Sequence, residues 1–256
     1  MNEALRKDIE AFVTQHTEAV FRDIARLVAV DSVEGEAAPG APFGAGPRKA
    51  LDLGLAIARE LGLGTVDCEG KLGYAYVGED CDRYLATITH LDVVPVGDGW
   101  KEDPFTMRER EGWIIGRGVM DDKGPSVLCL YALKYLKDKH IPLRYPVRAL
   151  LGANEETGMG DVEHYLANYP APLFCFSPDA NFPLCNGEKG IYHGRILRKI
   201  DLSPIIAIDG GTVSNAVCDK IILTLPKDRK LDKKLREEKL AEISDLGAAM
   251  MVTFKG

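Results

Sequence analysis

Hydrophobic residues recur along the chain with two periods, one typical of helices and one typical of strands. Helical spacing is clearest over residues 2–30, where the recurring apolar side chains are Ile9, Phe12, Val13, Val20, Phe21, Ile24 and Leu27. The same spacing predicts helices at about 48–61, 125–139 and 161–169. Short apolar runs predict strands near 65–67, 74–77, 148–154 and 173–177, and another that ends at His90. Strands that alternate with helices predict an α/β fold with a largely parallel sheet.

Residues with metal-binding side chains stand where several of these apolar runs end. His90 and Asp92 lie two positions apart, and in an extended chain such side chains point to the same face. Further strand-like runs at 118–122, 148–156 and 174–179 also end at acidic residues. Because ligands in open α/β sheets bind beyond the carboxyl ends of the strands, we expect these side chains to converge. One histidine and several carboxylates suit zinc, so the pattern indicates a hydrolytic zinc enzyme.

The character of the sequence changes beyond about residue 187. Two glycines indicate a hinge at 187–190. The charge run at 227–242 is predicted to be a solvated helix rather than a binding patch. We therefore expect a first domain over 1–188 and the incomplete beginning of a second domain over 189–256.

Composition excludes several classes of protein. The chain has 256 residues, of which 46% are hydrophobic and 28% charged, and this suits one sizeable hydrophobic core. The net charge of -7 argues against nucleic acid or an anionic membrane as a partner. No run approaches the roughly eighteen apolar residues of a membrane span. The 6 cysteines form no CxxC pair, so we expect reduced thiols and a cytoplasmic location.

Four motifs occur in an order and at spacings that resemble one enzyme family. They are His90-Leu-Asp92-Val-Val-Pro95, Gly116-Arg-Gly-Val-Met-Asp121-Asp-Lys-Gly124, Glu155-Glu156-Thr-Gly158 and Ser177-Pro-Asp179-Ala-Asn-Phe-Pro183. Together they resemble the co-catalytic di-zinc metallopeptidases that include aminoacylase, succinyl-diaminopimelate desuccinylase and the bacterial cytosolic dipeptidases. The dipeptidase branch, with its carnosinase-like Xaa-His dipeptidases, is the most similar. The resemblance implies a three-layer α/β zinc-peptidase catalytic domain with a mostly parallel mixed sheet, and the start of an inserted α+β lid domain.

The resemblance also implies a centre with two zinc ions, for which Mn²⁺ or Co²⁺ could substitute. His90 and Asp179 would bind the first ion, Glu156 would bind the second, and Asp121 would bridge both. Three carboxylates would largely balance two dications about 3.5–4 Å apart, the usual spacing of two-metal sites.

Two further acids receive roles from the same resemblance. Asp92 would hold the His90 ring from behind, and Glu155 would be the general base that passes a proton from water to the leaving amine. Asp122 would point to the opposite face of an extended chain from Asp121, so we expect it to be structural. Three histidines outside the motifs are expected at the surface, and no motif places the fourth at the metals: His16, His140, His164 and His193.

The chain departs from the family pattern in its second part. Asn215 matches a lid residue that approaches the substrate, and Cys218 stands where proline is usual. Complete family members continue to a lid histidine and a last histidine ligand, whereas here no histidine follows His193. We therefore expect a fragment of a longer protein, a second chain that supplies the missing half, or a degenerate relative.

The function implied is that of a zinc-dependent dipeptidase, in a truncated form, that hydrolyses a small peptide through a metal-activated water. Residues 1–256 alone are expected to have negligible peptidase activity. Two alternatives stay open. One is an N-acyl-amino-acid deacylase or desuccinylase of the same family, and the other is a catalytically inactive homologue that acts as a binding protein. The metal ligands do not separate them, because the distinguishing pocket lies largely in the lid. The sequence leaves open whether the protein is an oligomer.

Overall fold

The computed structural model describes residues 2–181, 183–187, 189–190, 192, 194, 201–211, 218, 220–237 and 241–255. The chain divides into two compact units, Met1–Glu188 and Lys189–Gly256. In the described parts, no helix combines the length and the apolar character needed to cross a membrane.

The first unit alternates helices with strands. Its helices are α1 (Glu3–Val28), α2 (Ala45–Glu60), α3 (Lys123–Asp138) and α4 (Gly160–Asn168). Its strands are β1 (Gly64–Cys68), β2 (Leu72–Val77), β3 (Leu85–His90), β4 (Arg108–Arg110), β5 (Trp113–Ile115), β6 (Val147–Gly152) and β7 (Phe174–Phe176). The structure confirms each helix that hydrophobic spacing predicts in this unit, with small differences at the ends.

Five of these strands form one mixed sheet in the order β1-β2-β6-β3-β7. Strand β3 runs parallel to β6 and β7, whereas β2 is antiparallel to both β1 and β6. The predicted α/β class with a mixed sheet is confirmed. Because β3, β6 and β7 are parallel, their carboxyl ends lie at one edge of the sheet, and His90 pairs in register with Gly152.

The two faces of this sheet pack into separate hydrophobic cores. In β6, Ala149 and Leu151 belong to a core that includes buried residues of α1, α2 and α3. Leu150 points to the other face, as the period of a strand requires, and packs with Tyr84 and with Tyr165 of α4. Helices therefore cover both faces, and the sheet is the middle of three layers.

Residues 118–122 form a turn, so the prediction that they are strand-like is wrong. Strands β4 and β5 pair as a short antiparallel hairpin that ends at Ile115. Gly118 then has φ +83°, in the left-handed region that glycine tolerates. Its carbonyl accepts the Lys123 N–H over 3.0 Å, which closes the turn and begins α3.

The second unit contains an antiparallel sheet in the order β10-β11-β9-β8. Its elements are β8 (Ala207–Gly210), β9 (Lys220–Pro226), α5 (Arg229–Glu237), β10 (Glu242–Asp245) and β11 (Ala249–Lys255). Leu235, Met250 and Val252 form its small buried core. The charge run predicted as a solvated helix contains α5, which buries Leu235 and exposes most of its charged side chains.

Candidate metal centre

His90 ends β3 inside the protein, with only 3% of its surface exposed. Its backbone N–H donates to Asp122 Oδ2 over 3.2 Å, and its carbonyl accepts the Ser126 hydroxyl over 3.2 Å. Asp122 occupies the N-cap position of α3, and Ser126 lies in that helix. The beginning of α3 therefore holds the end of β3 in place.

Carboxylates from separate loops surround the imidazole of His90. Its Nε2 lies 3.0 Å from Asp121 Oδ1, 3.4 Å from Asp179 Oδ2 and 3.8 Å from Glu155 Oε2. Its Nδ1 lies 3.1 Å from the carbonyl oxygen of Asp92 and 3.4 Å from the Oδ1 of that residue. One ring nitrogen thus faces carboxylates and the other faces Asp92. The carboxylates of Asp121, Asp122, Glu155, Glu156 and Asp179 are called the acid cluster below.

Two sets of side chains bring their ligand atoms close enough to share a metal ion. One set is His90, Asp121 and Glu156, and the other is His90, Glu155 and Asp179. Within each set the ligand atoms lie within 4.8 Å of one another. The four side chains predicted to bind metal therefore lie together, but the sets divide them differently from the prediction. Glu156, predicted for the second ion, shares a set with His90, and Asp179 shares one with Glu155, the predicted general base.

Asp92 lies behind this cluster and is 1% exposed. Its Oδ1 accepts the backbone N–H of Glu155, and its Oδ2 accepts that of Glu156, each over 3.1 Å. The sequence places Asp92 behind His90, but its contact with the acid pair depends on a distant part of the chain. Asp92 thus joins the end of β3 to the loop that follows β6.

Asp122 lies in a turn that leads into α3, so the extended chain expected at this point is wrong. The chain turns at this point, and the Asp122 side chain is fully buried. Its Oδ2 accepts the His90 N–H, while its Oδ1 has no hydrogen-bond partner among the described residues. Asp122 thus bonds to backbone and belongs to neither set of possible metal ligands, which is consistent with the structural role expected from the sequence.

Burial and mutual repulsion disfavour ionisation of most carboxyl groups in this cluster. Burial first, and then the charge of Asp121, raise the pKa of Glu156 to about 7. Burial first, and then the charge of Asp179, raise the pKa of Asp122 to about 7. Burial is also the main cause that raises the pKa of Glu155 and of Asp179. These acids therefore lie close together at an electrostatic cost.

For the imidazole of His90, in contrast, the surroundings favour the charged form. Burial alone would lower the pKa of His90, but hydrogen bonds with Asp121 and Asp92 outweigh burial and raise that pKa to about 11. The hydrogen bond with His90 in turn lowers the pKa of Asp121. A positive charge at the centre of the cluster is thus favoured, and carboxylate oxygen and imidazole nitrogen are ligands that zinc accepts. The residues present fit a divalent metal ion.

Two cavities adjoin the acid cluster. One, of about 110 Å³, is lined by His90, Glu155 and Met159 among others. The second, of about 470 Å³, is more open and is lined in part by Asp121 and Asp179. Space for part of a small ligand therefore lies directly beside the proposed metal ligands.

The remaining predicted residues lie elsewhere. Asn215, predicted to bind substrate, and His193 lie outside the described residues. His140 is exposed, as predicted. His16 and His164 are partly buried, so their predicted place at the surface is only partly correct. No described histidine other than His90 belongs to a set of three or more possible metal ligands.

Comparison with known proteins connects the acid cluster to a family. The sequence pattern of peptidase family M20/M25/M40 matches residues 86–248. The chain is 40% identical over 190 residues to "Putative dipeptidase YtjP" of Bacillus subtilis (strain 168), and the match covers 73% of this chain and 41% of that protein. "Putative dipeptidase SAUSA300_1697" of Staphylococcus aureus (strain USA300) is 38% identical over 181 residues, and the match covers 70% of this chain and 38% of that protein. The chain thus spans about two fifths of the length of these curated relatives.

A solved structure shares the fold. Human carnosine dipeptidase 1 superposes with a TM-score of 0.54 at 19% identity, covering 66% of this chain and 40% of that one. Its likeness concerns the fold alone. The region that matches the family pattern contains every residue of the acid cluster. The chain therefore belongs to peptidase family M20/M25/M40.

Proposed function

We propose that this chain carries the metal centre of a zinc-dependent dipeptidase, which hydrolyses the peptide bond of a small peptide. The observation that carries the proposal is the buried imidazole of His90, whose Nε2 has carboxylate oxygens of Asp121, Asp179 and Glu155 within 3.8 Å. The relatives with dipeptidase names, at 40% and 38% identity, support the substrate class.

His90, Asp121, Glu156 and Asp179 would hold the metal. Divalent ions there would supply Lewis acidity that polarises the scissile carbonyl and lowers the pKa of a water molecule. Only one imidazole belongs to the two sets, and its Nδ1 faces Asp92. One ion can therefore bind through Nε2, so we expect one tight zinc equivalent and a weaker second. Mn²⁺ and Co²⁺ accept the same donors and could substitute.

We infer that Glu155 would move the proton of the reaction. The side chain is partly buried, and burial is the main cause that raises its pKa, the direction that suits a general base. Its carboxylate would take a proton from the attacking water as the water oxygen bonds to the carbonyl carbon. The same proton would then go to the amine nitrogen as the carbon–nitrogen bond breaks. Glu155 would thus act first as a base and then as an acid.

The proposal extends to the organisation of the chain. Residues 1–188 would form the N-terminal part of the catalytic domain, and 189–256 the beginning of a lid from which Asn215 approaches the substrate. The free thiols of the cysteines are consistent with a cytoplasmic location.

Zinc titration tests the centre directly. The metal-free chain should bind one tight equivalent, and His90→Asn should abolish that binding. His140→Asn is the matched control, because His140 is exposed and has φ +50°, a conformation that asparagine tolerates. If His90→Asn binds zinc as tightly as the parent does, the proposed centre is wrong.

The substrate class needs a separate measurement. A version with a complete catalytic domain is loaded with zinc and supplied with a panel of dipeptides and with N-acetyl amino acids, and released amine or amino acid is quantified. Preferential cleavage of dipeptides is expected. Preference for the N-acetyl amino acids would instead identify a deacylase.

A further inference from the structure

Four consecutive backbone N–H groups, those of residues 153–156, donate to only two carboxylates. The first two donate to Asp161 Oδ2, over 2.7 and 3.1 Å. The last two donate to the two oxygens of Asp92, each over 3.1 Å. The stretch that ends in the Glu155–Glu156 pair is therefore held along its whole length by buried acids.

Asp161 is fully buried and is bonded to backbone throughout. It is 0% exposed, and its second oxygen, Oδ1, accepts the Val162 N–H over 2.8 Å. Gly152 leaves room for it, because a Cβ at that position would lie 2.5 Å from Asp161 Oδ2. A residue with a side chain at 152 would displace the carboxylate, so the position of Asp161 requires glycine at 152.

Asn154 also forms hydrogen bonds with the residues that precede α4 and with the first residue of that helix. The carbonyl of Asn154 accepts the Met159 N–H over 2.8 Å, and its Oδ1 accepts the Gly160 N–H over 3.1 Å. Its amide nitrogen donates to Thr157 Oγ1 over 2.5 Å. Residues 154–160 thus form a closed loop. Asp161 holds the backbone at the start of this loop, at residues 153 and 154. The direction in which the two glutamates project follows from this backbone.

We propose that Asp161 is a positioning residue of the metal centre: with Asp92, it shapes the loop so that Glu155 and Glu156 face His90 before any metal binds. The proposal rests on the metal-binding function proposed above. The simpler alternative is that Asp161 only stabilises α4, since an acid in the first turn of a helix interacts favourably with the helix dipole. Glu163 lies in the same first turn and would share that effect.

The pair Asp161→Asn and Glu163→Gln separates these interpretations. Each removes one charge from the first turn of α4, but Asp161→Asn would also set an amide N–H₂ against backbone N–H donors. Zinc affinity is measured by competition with a chromophoric chelator, beside thermal unfolding of the metal-free proteins. We expect Asp161→Asn to weaken zinc binding by about 10–100-fold, the usual effect of removing a group that orients ligands. Exposed Glu163→Gln should change it by no more than about twofold.

Failure of this inference can be told apart from failure of the proposed function. If the parent chain does not bind zinc, the metal centre itself is wrong. If the parent binds zinc and folded Asp161→Asn binds it equally well, only the positioning role is refuted. Equal weakening by Glu163→Gln would likewise refute it, because the helix effect would then account for the result.

Hydrogen exchange on the unsubstituted, metal-free chain tests the positioning role of Asp161 even if Asp161→Asn does not fold. The positioning role requires slow exchange of the amides of 153–156, as is typical of hydrogen-bonded groups in folded segments. Exchange at the rate of an unstructured peptide, with protection appearing only after zinc is added, would overturn it.

Discussion

The zinc affinity of this centre should fall steeply as the pH is lowered. Metal binding requires deprotonated ligands, so a proton competes with the metal at every ligand whose pKa is raised. Glu156 has a pKa of about 7, raised first by burial and then by Asp121. His90 has a pKa of about 11, because hydrogen bonds with Asp121 and Asp92 outweigh the effect of burial. Both shifts make acid conditions unfavourable to binding.

The size of the effect follows from the two pKa values. For Glu156, competition by one proton is about 30-fold stronger at about pH 5.5 than at about pH 8. For His90, the proton must be displaced at both pH values, and competition grows about tenfold per pH unit, or roughly 300-fold over the range. For an ion held by His90, Asp121 and Glu156 together, the combined prediction is a loss of about 10⁴-fold in zinc affinity.

Chelator competition at several pH values provides the assay, and two variants provide the comparison. Glu156→Gln should bind zinc more weakly at about pH 8 and should lose the Glu156 share of the pH dependence, leaving the roughly 300-fold share of His90. Glu109→Gln, at an exposed position in β4, should keep the full dependence. A change of less than about tenfold in the parent, or an undiminished change in Glu156→Gln, would refute the reasoning.

Three further results are expected. In a version with a complete catalytic domain, Glu155→Gln should lower dipeptide turnover by about 10²–10⁴-fold with unchanged zinc content, whereas Glu156→Gln should lose metal in elemental analysis. Like behaviour of the two variants in metal analysis would contradict the proposed roles. With a metal chelator present, the melting temperature should fall as the pH rises from about 5.5 to about 8. The raised pKa of Glu156 gives stability that is lost between about pH 4.5 and 7, and the raised pKa of His90 gives stability that is lost above about pH 6.5. A rise in the melting temperature would contradict these signs. Tyr131→Phe should lower the free energy of unfolding in urea by about 1–3 kcal/mol, since the hydroxyl donates to the buried Asp23 carboxylate over 2.8 Å; no change would show that this bond contributes nothing.

Local spacing in the sequence is enough to predict the main elements of the first unit. Apolar residues recur at helical intervals in α1 to α4, and this periodicity depends only on neighbours in the chain. It is also enough to predict that His90 ends a strand. The antiparallel pairing of β2 with β6 could not be predicted in the same way, because it joins segments more than a whole helix apart in the chain.

The finer structure of the site depends on contacts that no local pattern encodes. The run 118–122 has apolar residues like those of a strand, yet Gly118 bends it into a turn. Asp161 looks like an ordinary acid in the first turn of a helix, and only the folded chain shows its carboxylate against the N–H groups of 153 and 154. The motifs therefore indicate which residues have the right chemistry, while the folded chain shows what holds them.

The acid cluster brings like charges together, and this arrangement opposes folding. Burial and neighbouring charge raise the pKa values of Glu156 and Asp122, which means that the folded state disfavours their charged forms. The surrounding structure resists that repulsion because β3 and β6 lie inside the sheet, and Leu151 of β6 is fully buried. The loop after β6 is fixed in addition by Asp92. A metal ion would then meet side chains already held in place, so substitutions behind the cluster should alter metal affinity without altering which residues bind.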